Sequence, residues 1–449
     1  MDLQHALIEA VGEKHVLSDP DLKSSYEQDY TGRYRGAARL VVRPADTSEV
    51  ADTIAVCARY GAPVVPQGGN TGLVGASVPR NDEVVISLQR LNSIGDVDTA
   101  VGQVTVGAGA TLAALQAAAR AAGEDAGLDF GARDSCTVGG AVACDAGGAR
   151  ALRHGTARSR VAGLEAVLAD GSVFARLAGL TKDNAGYDLP ALLVGSEGTL
   201  GIITRVRWKL VPLLPSRVAA LVPLGSATEA AELLRSLRSH APSLESCDFF
   251  LDDGLRLVLE HQRRQSPLRT SAPFYVLTEC AAQTDPTEEL AQALEHAGVE
   301  DALVADDTRS REGLWAIREG HTDAINAAGI PHKLDVGVPL DQLDRFLDQV
   351  PAAVTGAGGE RVILFGHLGD GNVHVNVLGA DPDDTRVDDA VLELALRCGG
   401  TISAEHGVGI SKAAWLERAR GATELAAMRS IKHALDPDNL LNPGAVLAS

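Results

Sequence analysis

The feature that most constrains this chain is where its glycines fall. Of 47 glycines, 24 lie between residues 61 and 201 and 23 are spread over the rest of the 449 residues. Glycine lets backbone turn tightly or approach a ligand closely. Three loops of the dense stretch stand out: Pro66-Gln67-Gly68-Gly69-Asn70-Thr71-Gly72 through to Ser77-Val78, residues 134–148, and residues 195–203. In each, successive glycines let main-chain N–H groups point into one concavity, which is how backbone holds a pyrophosphate without basic side chains. The hydroxyls of Thr71, Ser77, Ser135 and Thr137 add donors. One such loop reads as a turn or a bulge. Three together point to a large phosphate-bearing cofactor.

Charge and cysteine usage exclude several classes. With 40 Lys+Arg against 60 Asp+Glu the net charge is −20, so a nucleic-acid binder, which needs a basic face, is not expected. The N-terminus Met1-Asp2-Leu3-Gln4-His5 lacks a basic region followed by an apolar one, so no secretory signal is read there. The uncharged run Val101 to Ala119 is diluted by polar residues and glycines and reads as a strand then an amphipathic helix, not a membrane span. Six scattered cysteines with no C-x-x-C pair fit a reducing cytoplasm. There is no G-x-G-x-x-G, hence no sign of a Rossmann nicotinamide site, and no P-loop.

The coarse organisation is α+β. Residues 1–37 read as a polar helical lead-in. Short strands then alternate with helices: Leu40-Val41-Val42, a helix opening at Thr47 with Thr47 as its cap, Pro63-Val64-Val65-Pro66, Val84–Leu88, and a hairpin turning at Asp170-Gly171. Around Pro212–Pro215 glycine thins and helices lengthen, which sets a domain boundary. The division is 1–37, 38–215 and 216–449, with the final helix and tail of the last part expected to return to the cofactor.

A second constellation lies near the C-terminus. In Phe365-Gly366-His367-Leu368-Gly369-Asp370-Gly371-Asn372-Val373-His374-Val375-Asn376-Val377 the valines alternate with His374 and Asn376, so these two polar side chains share one face of a strand. The glycines can bring His367 back beside His374. Farther on, Glu405-His406-Gly407-Val408-Gly409 offers a carboxylate and a third imidazole. Two His and one Glu make the ligand set of an open catalytic zinc site, although such ligands also admit manganese, iron or cobalt. A lone His would read as an ordinary core or surface residue.

Taken together, these motifs resemble a known family. Pro66–Gly72, Cys136-Thr137-Val138-Gly139-Gly140, Gly147-Gly148 and Gly195-Ser196-Glu197-Gly198-Thr199-Leu200-Gly201 are similar to the flavin-binding domain of the vanillyl-alcohol oxidase/p-cresol methylhydroxylase superfamily. Lys182–Leu189 and Tyr34-Arg35-Gly36 are similar to its D-2-hydroxyglutarate dehydrogenase branch. The resemblance implies a two-domain FAD-linked oxidase fold, an N-terminal FAD-binding domain followed by an α+β cap and substrate domain. It implies FAD held by Pro66, Gln67, Gly68, Gly69, Asn70, Thr71, Gly72, Ser77, Val78, Asp134, Ser135, Thr137, Gly139, Gly140, Asp145, Gly147, Gly148, Glu197, Gly198, Ile203 and Asn442. No histidine lies within 66–78, which argues for non-covalent FAD. Asp145 departs from the usual Asn, and a carboxylate beside a pyrophosphate is repulsive, so it is expected to face away or accept from backbone donors.

The same resemblance implies His367, His374 and Glu405 as metal ligands, His406 as catalytic base, and Arg318, Thr322, Lys333 and Asn376 as substrate contacts. Arg318 and Thr322 are four apart and share a helix face; Lys333 is expected in a loop before a strand. Arg suits a carboxylate because its planar fork donates two parallel hydrogen bonds. Arg318, Thr322 and Lys333 together favour a dicarboxylic 2-hydroxy acid. The implied reaction is oxidation of D-2-hydroxyglutarate to the 2-oxo acid, with reduced FAD reoxidised by an electron-transfer protein or a quinone. A homodimer is left open. Rival readings are a D-lactate or glycolate dehydrogenase of the same fold, a non-catalytic flavin-binding subunit, and a metal-only hydrolase. An anionic substrate meeting an acidic protein must be steered by the local field of Arg318, Lys333 and the metal.

Overall fold

The computed structural model describes residues 2–448, which divide into two compact units. The first comprises Met1–Gly147, Gly155–Leu213 and Glu405–Ser449; the second comprises Gly148–His154 and Leu214–Ala404.

In the first unit, β1 (Val16–Leu17), β2 (Leu40–Val42), β3 (Val64–Gln67) and β4 (Val84–Ser87) form a sheet in the order β1-β2-β4-β3. β2, β4 and β3 run parallel, and β1 is antiparallel at the edge. The lead-in is therefore an integral layer: α1 (Leu3–Val11) buries Leu3 and Leu7 in the core of this sheet. α2 (Thr47–Tyr60) is capped by Asp46, whose carboxylate accepts the N–H of Glu49. The expected cap Thr47 instead donates its hydroxyl to Glu165, 2.6 Å away. The carboxylate one residue earlier reaches the free N–H, and Thr47 is already helical.

A second sheet in this unit is antiparallel, with β5 (Gln103–Gly107), β6 (Val161–Val167), β7 (Val173–Arg176) and β8 (Ile202–Lys209) in the order β5-β8-β6-β7. α3 (Leu112–Ala121) and α4 (Val138–Cys144) pack on it around Trp208, Val206 and Leu164. Residues Glu405–Ser449, counted with the last domain but expected to return to the cofactor, group with this first unit by contact. The reason is local. Val64 N–H donates to Leu440 O and Asn442 N–H to Val64 O, so the tail runs beside β3 and buries Leu440 and Leu441. Lys432 pins it, donating to Thr199 O (2.9 Å) and Leu441 O (2.8 Å) and pairing with Asp436.

The second unit is built on a seven-stranded antiparallel sheet. Its strands are β9 (Ser216–Leu224), β10 (Leu244–Leu251), β11 (Phe274–Ala282), β12 (Leu303–Ala305), β13 (His332–Gly337), β14 (Arg361–His367) and β15 (Asn372–Leu378), in the order β12-β9-β11-β10-β14-β15-β13. α6 (Asp252–His261) and α8 (Thr308–Ala328) contribute to one core with Phe250, Tyr275, Ile363 and Phe365. α5 (Ala227–His240), α7 (Thr287–His296), α9 (Leu343–Gly356) and α10 (Arg386–Arg397) belong to the same unit.

Candidate active site

In the first unit the three glycine loops meet. A Cβ on Gly68 would lie 2.2 Å from Thr137 Oγ1, and one on Gly69 would lie 1.8 Å from Ser135 O. One on Gly198 would lie 2.3 Å from Pro66, and one on Gly139 would lie 2.5 Å from Ala108 Cβ. These glycines exist so that loops can touch. Several polar side chains in them are spent on loop shape. Gln67 donates to Tyr26 O and Ser77 O, Asn70 donates to Gln28 O, and Ser77 donates to Asn70 Oδ1. Asn70 itself is left-handed, with φ 54°. The backbone is what remains for a ligand. Among the described residues, the N–H groups of Gly68, Gly69, Asn70, Thr71 and Gly72 donate to no carbonyl, and the loop is half-buried. Thr137 caps α4, accepting from Gly140. Val78 and Ile203 are buried, and Asp134 and Ser135 are exposed. Gly147 and Gly148 fall on either side of a unit boundary.

Asp145 ends α4 in the left-handed conformation. Its carboxylate accepts the Arg158 N–H and pairs with Arg158 Nε, both at 2.9 Å. The repulsion expected from replacing Asn by Asp is thus offset by an arginine that also holds Ala191 O and Val194 O.

Glu197 has a task the sequence did not reveal. It is buried, and its two oxygens accept the N–H groups of Val408 (2.7 Å) and Gly409 (2.9 Å). Burial pushes its carboxyl up to about 7, against those N–H groups and Lys412. Asn442 locks the same place, donating to Ala76 O and Glu197 O. Gly407 (φ 88°) and Gly409 (φ 53°) supply the left-handed turns. Together they hold the loop that presents Glu405 and His406, whose Oε1 and Nε2 lie 3.9 Å apart.

In the second unit one sheet face gathers the polar residues. Register sets His374 opposite Asp335 and Phe365, Asn376 opposite Lys333 and Ile363, and His367 opposite Asp248. Because side chains alternate along strands, all of these share one face. The loop after β14 does bring His367 to His374, with ring centroids 5.3 Å apart and edge to face. Lys333 sits on β13, not in the preceding loop: Pro331 lacks an N–H, and pairing with β15 begins at His332. Its ammonium donates to Asn376 Oδ1 at 3.4 Å. Burial pushes it down to about 8.

Arg318 and Thr322 are one turn apart on α8. Arg318 is buried, stacks over the Phe365 ring at 4.6 Å and pairs through Nε with Asp248 Oδ2 at 2.9 Å. His321, wholly buried between Phe250 and Phe365, is pushed down to about 3 by desolvation, then by Arg318, and so stays neutral. Two buried carboxylates were missed by sequence reasoning. Asp248 accepts from His367 Nδ1 at 2.8 Å; Asp335 lies 3.6 Å from His374 Nδ1 and accepts the Ala404 N–H. The available signal was an acid inside an apolar strand, in Cys247-Asp248-Phe249 and in Leu334-Asp335-Val336.

Two family models match: an FAD binding domain over residues 38–175, and the C-terminal domain of FAD linked oxidases over residues 213–446. The chain belongs to the FAD-linked oxidases. It is thus an FAD-dependent oxidoreductase, and the donor-rich loop 68–72 has the chemistry that pyrophosphate binding needs. Among similar FAD-linked oxidases, the D-2-hydroxyglutarate dehydrogenase of Xanthomonas citri pv. viticola is 38% identical, over 98% of this chain and 95% of its own. The mitochondrial D-2-hydroxyglutarate dehydrogenase of Arabidopsis thaliana is 36% identical, over 98% and 80%. A putative mitochondrial D-lactate dehydrogenase of Schizosaccharomyces pombe is 34% identical, over 95% and 85%. The fold is that of p-cresol methylhydroxylase, with a TM-score of 0.79 at 15% identity covering 99% of this chain and 96% of that one. Alkyldihydroxyacetonephosphate synthase is also similar, with a TM-score of 0.73 at 16% identity covering 96% and 82%. Among the described residues no helix is long and apolar enough to cross a membrane.

Proposed function

We propose that this FAD-linked oxidase oxidises a D-2-hydroxy acid to its 2-oxo acid, with D-2-hydroxyglutarate preferred. The observation that carries the reading is the polar face of the second unit, where Lys333, Asn376, His374 and His367 share one surface and Arg318 pairs onto it through Asp248. Such a face inside a valine- and phenylalanine-rich sheet has little use except to receive a polar ligand. Two cations match two carboxylates. Relatives named for D-2-hydroxyglutarate support the choice, while the relative named for D-lactate makes that acid the rival.

FAD, when bound, supplies the two-electron oxidant that takes the hydrogen from C2. Everything else falls to the chain. Arg318 and Lys333 bind and orient the carboxylates, with Thr322 and Asn376 as hydrogen-bonding neighbours. His406 takes the C2 hydroxyl proton on an imidazole nitrogen. His367, His374 and Glu405 would hold a divalent metal of the zinc type, which would lower the hydroxyl pKa. The two histidines suit a metal: both imidazoles are buried, Asp248 accepts from His367 Nδ1 at 2.8 Å and so leaves its Nε2 to ligate, and Asp335 lies 3.6 Å from His374 Nδ1. No Rossmann fingerprint is present, so an electron-transfer protein or a quinone is the proposed acceptor. A reducing compartment is proposed from the scattered cysteines without a C-x-x-C pair; cytoplasm is the proposed one, and several relatives are named mitochondrial.

The test is anaerobic mixing of the flavin-loaded enzyme with D-2-hydroxyglutarate, D-lactate and glycolate, read as flavin bleaching. Highest kcat/KM with D-2-hydroxyglutarate is expected; a higher value for D-lactate overturns the substrate choice. His406→Ala should retain FAD and lose about 10²–10⁴-fold in rate. An unchanged rate removes the base.

A further inference from the structure

Asp248 is wholly buried and serves two masters. Its Oδ1 accepts from His367 Nδ1 at 2.8 Å, and its Oδ2 lies 2.9 Å from Arg318 Nε. The residue sits mid-sheet on β10, directly opposite His367, between two strands that hold its backbone on both sides. Arg318 is fixed independently from α8 by stacking on Phe365, the residue two before His367 on the same strand. A carboxylate in such a place is costly unless paired on both oxygens.

We propose that Asp248 is a positioning residue that couples the metal ligand His367 to the substrate cation Arg318. The inference rests on the roles assigned above to those two residues. Through Oδ1 it fixes the His367 tautomer, so that Nε2 carries the lone pair. Through Oδ2 it fixes the rotamer of Arg318, so that the outer edge of the guanidinium is left for a carboxylate. One rigid carboxylate thereby sets the relative placement of two groups that must grip the same small molecule. Asn is the sharpest probe, because it keeps the shape but offers an N–H where one of its two partners already donates.

The FAD-loaded enzyme is the material for the test, with two readouts besides turnover. Zinc affinity is measured by chelator competition, and 2-oxoglutarate affinity by perturbation of the flavin spectrum. Asp248→Asn should weaken zinc about 10–100-fold, weaken 2-oxoglutarate severalfold, and raise KM. Arg318→Lys guards against a variant that fails to fold, since it leaves the carboxylate in place. It should also weaken zinc at least threefold, because Asp248 loses its second anchor. A purely structural aspartate would lower the melting temperature and leave both affinities of the folded fraction alone. Zinc held equally by wild type and both variants overturns the coupling while the metal reading stands. Failure of the wild type itself to hold zinc overturns the metal reading, and the coupling with it.

Discussion

Lys333 shows how much one strand position decides. Its ordinary pKa of 10.5 is pushed down to about 8 by burial, against a weaker upward pull from Asp323. It is therefore charged below about 8 and neutral above, and only the charged form attracts a carboxylate. For a dicarboxylic substrate, KM should climb as pH rises through about 8, and Lys333→Met should have a high KM at every pH. A flat KM from pH 7 to 9 would take Lys333 out of the substrate site. The stability effect has a defined sign. Between about 8 and 10.5 the unfolded chain holds this proton and the folded one does not, so Lys333 makes stability rise with pH across that window. The sequence made His367 and His374 legible because they sit among glycines and alternating valines, whereas Lys333 was legible only through the family resemblance. Asp248 and Asp335 were not legible, because an acid in a strand declares itself only when its cross-strand neighbour is known. That neighbour is a matter of register, which one sequence does not state.

At the scale of elements, the loops were readable as loops but their mutual packing was not. Gly-Gly pairs predicted close approach to something, and sequence reasoning assigned that something to the cofactor. The structure divides the labour: side chains at 67, 70 and 77 brace the loop, and glycines at 68 and 69 clear room for Ser135 and Thr137. Gly69→Ala would place its Cβ 1.8 Å from Ser135 O and 2.7 Å from the carbonyl carbon, both backbone atoms that cannot swing aside. It should destabilise the first unit by about 1–3 kcal/mol and lower FAD retention. Gly131→Ala, with nothing within 4 Å of its Cβ, should be neutral. Equal melting curves for the two variants would refute this packing account. The helix lead-in errs for a related reason. Residues 1–37 look polar in sum, yet α1 turns Leu3, Ala6, Leu7 and Val11 into the first core and β1 adds Val16, and a four-residue apolar stripe is easily lost in a polar average.

At the scale of the whole molecule, the net charge of −20 opposes a dianionic substrate. The sequence left steering to the local field of Arg318, Lys333 and a metal. The geometry weakens that account, because Arg318 is buried and offset by Asp248 2.9 Å away, so little of its field escapes to solvent. Contact binding by Arg318 survives this pairing; attraction at a distance does not. The long-range field an approaching substrate meets is then that of the acidic surface. Its reach follows the Debye length, about 30 Å at 0.01 M salt and about 8 Å at 0.15 M. Raising salt across that range should therefore increase kcat/KM for D-2-hydroxyglutarate severalfold, with kcat unchanged, and increase it less for the monoanion D-lactate. A monotonic fall in kcat/KM would instead mean that local cations govern the encounter, as the sequence alone suggested.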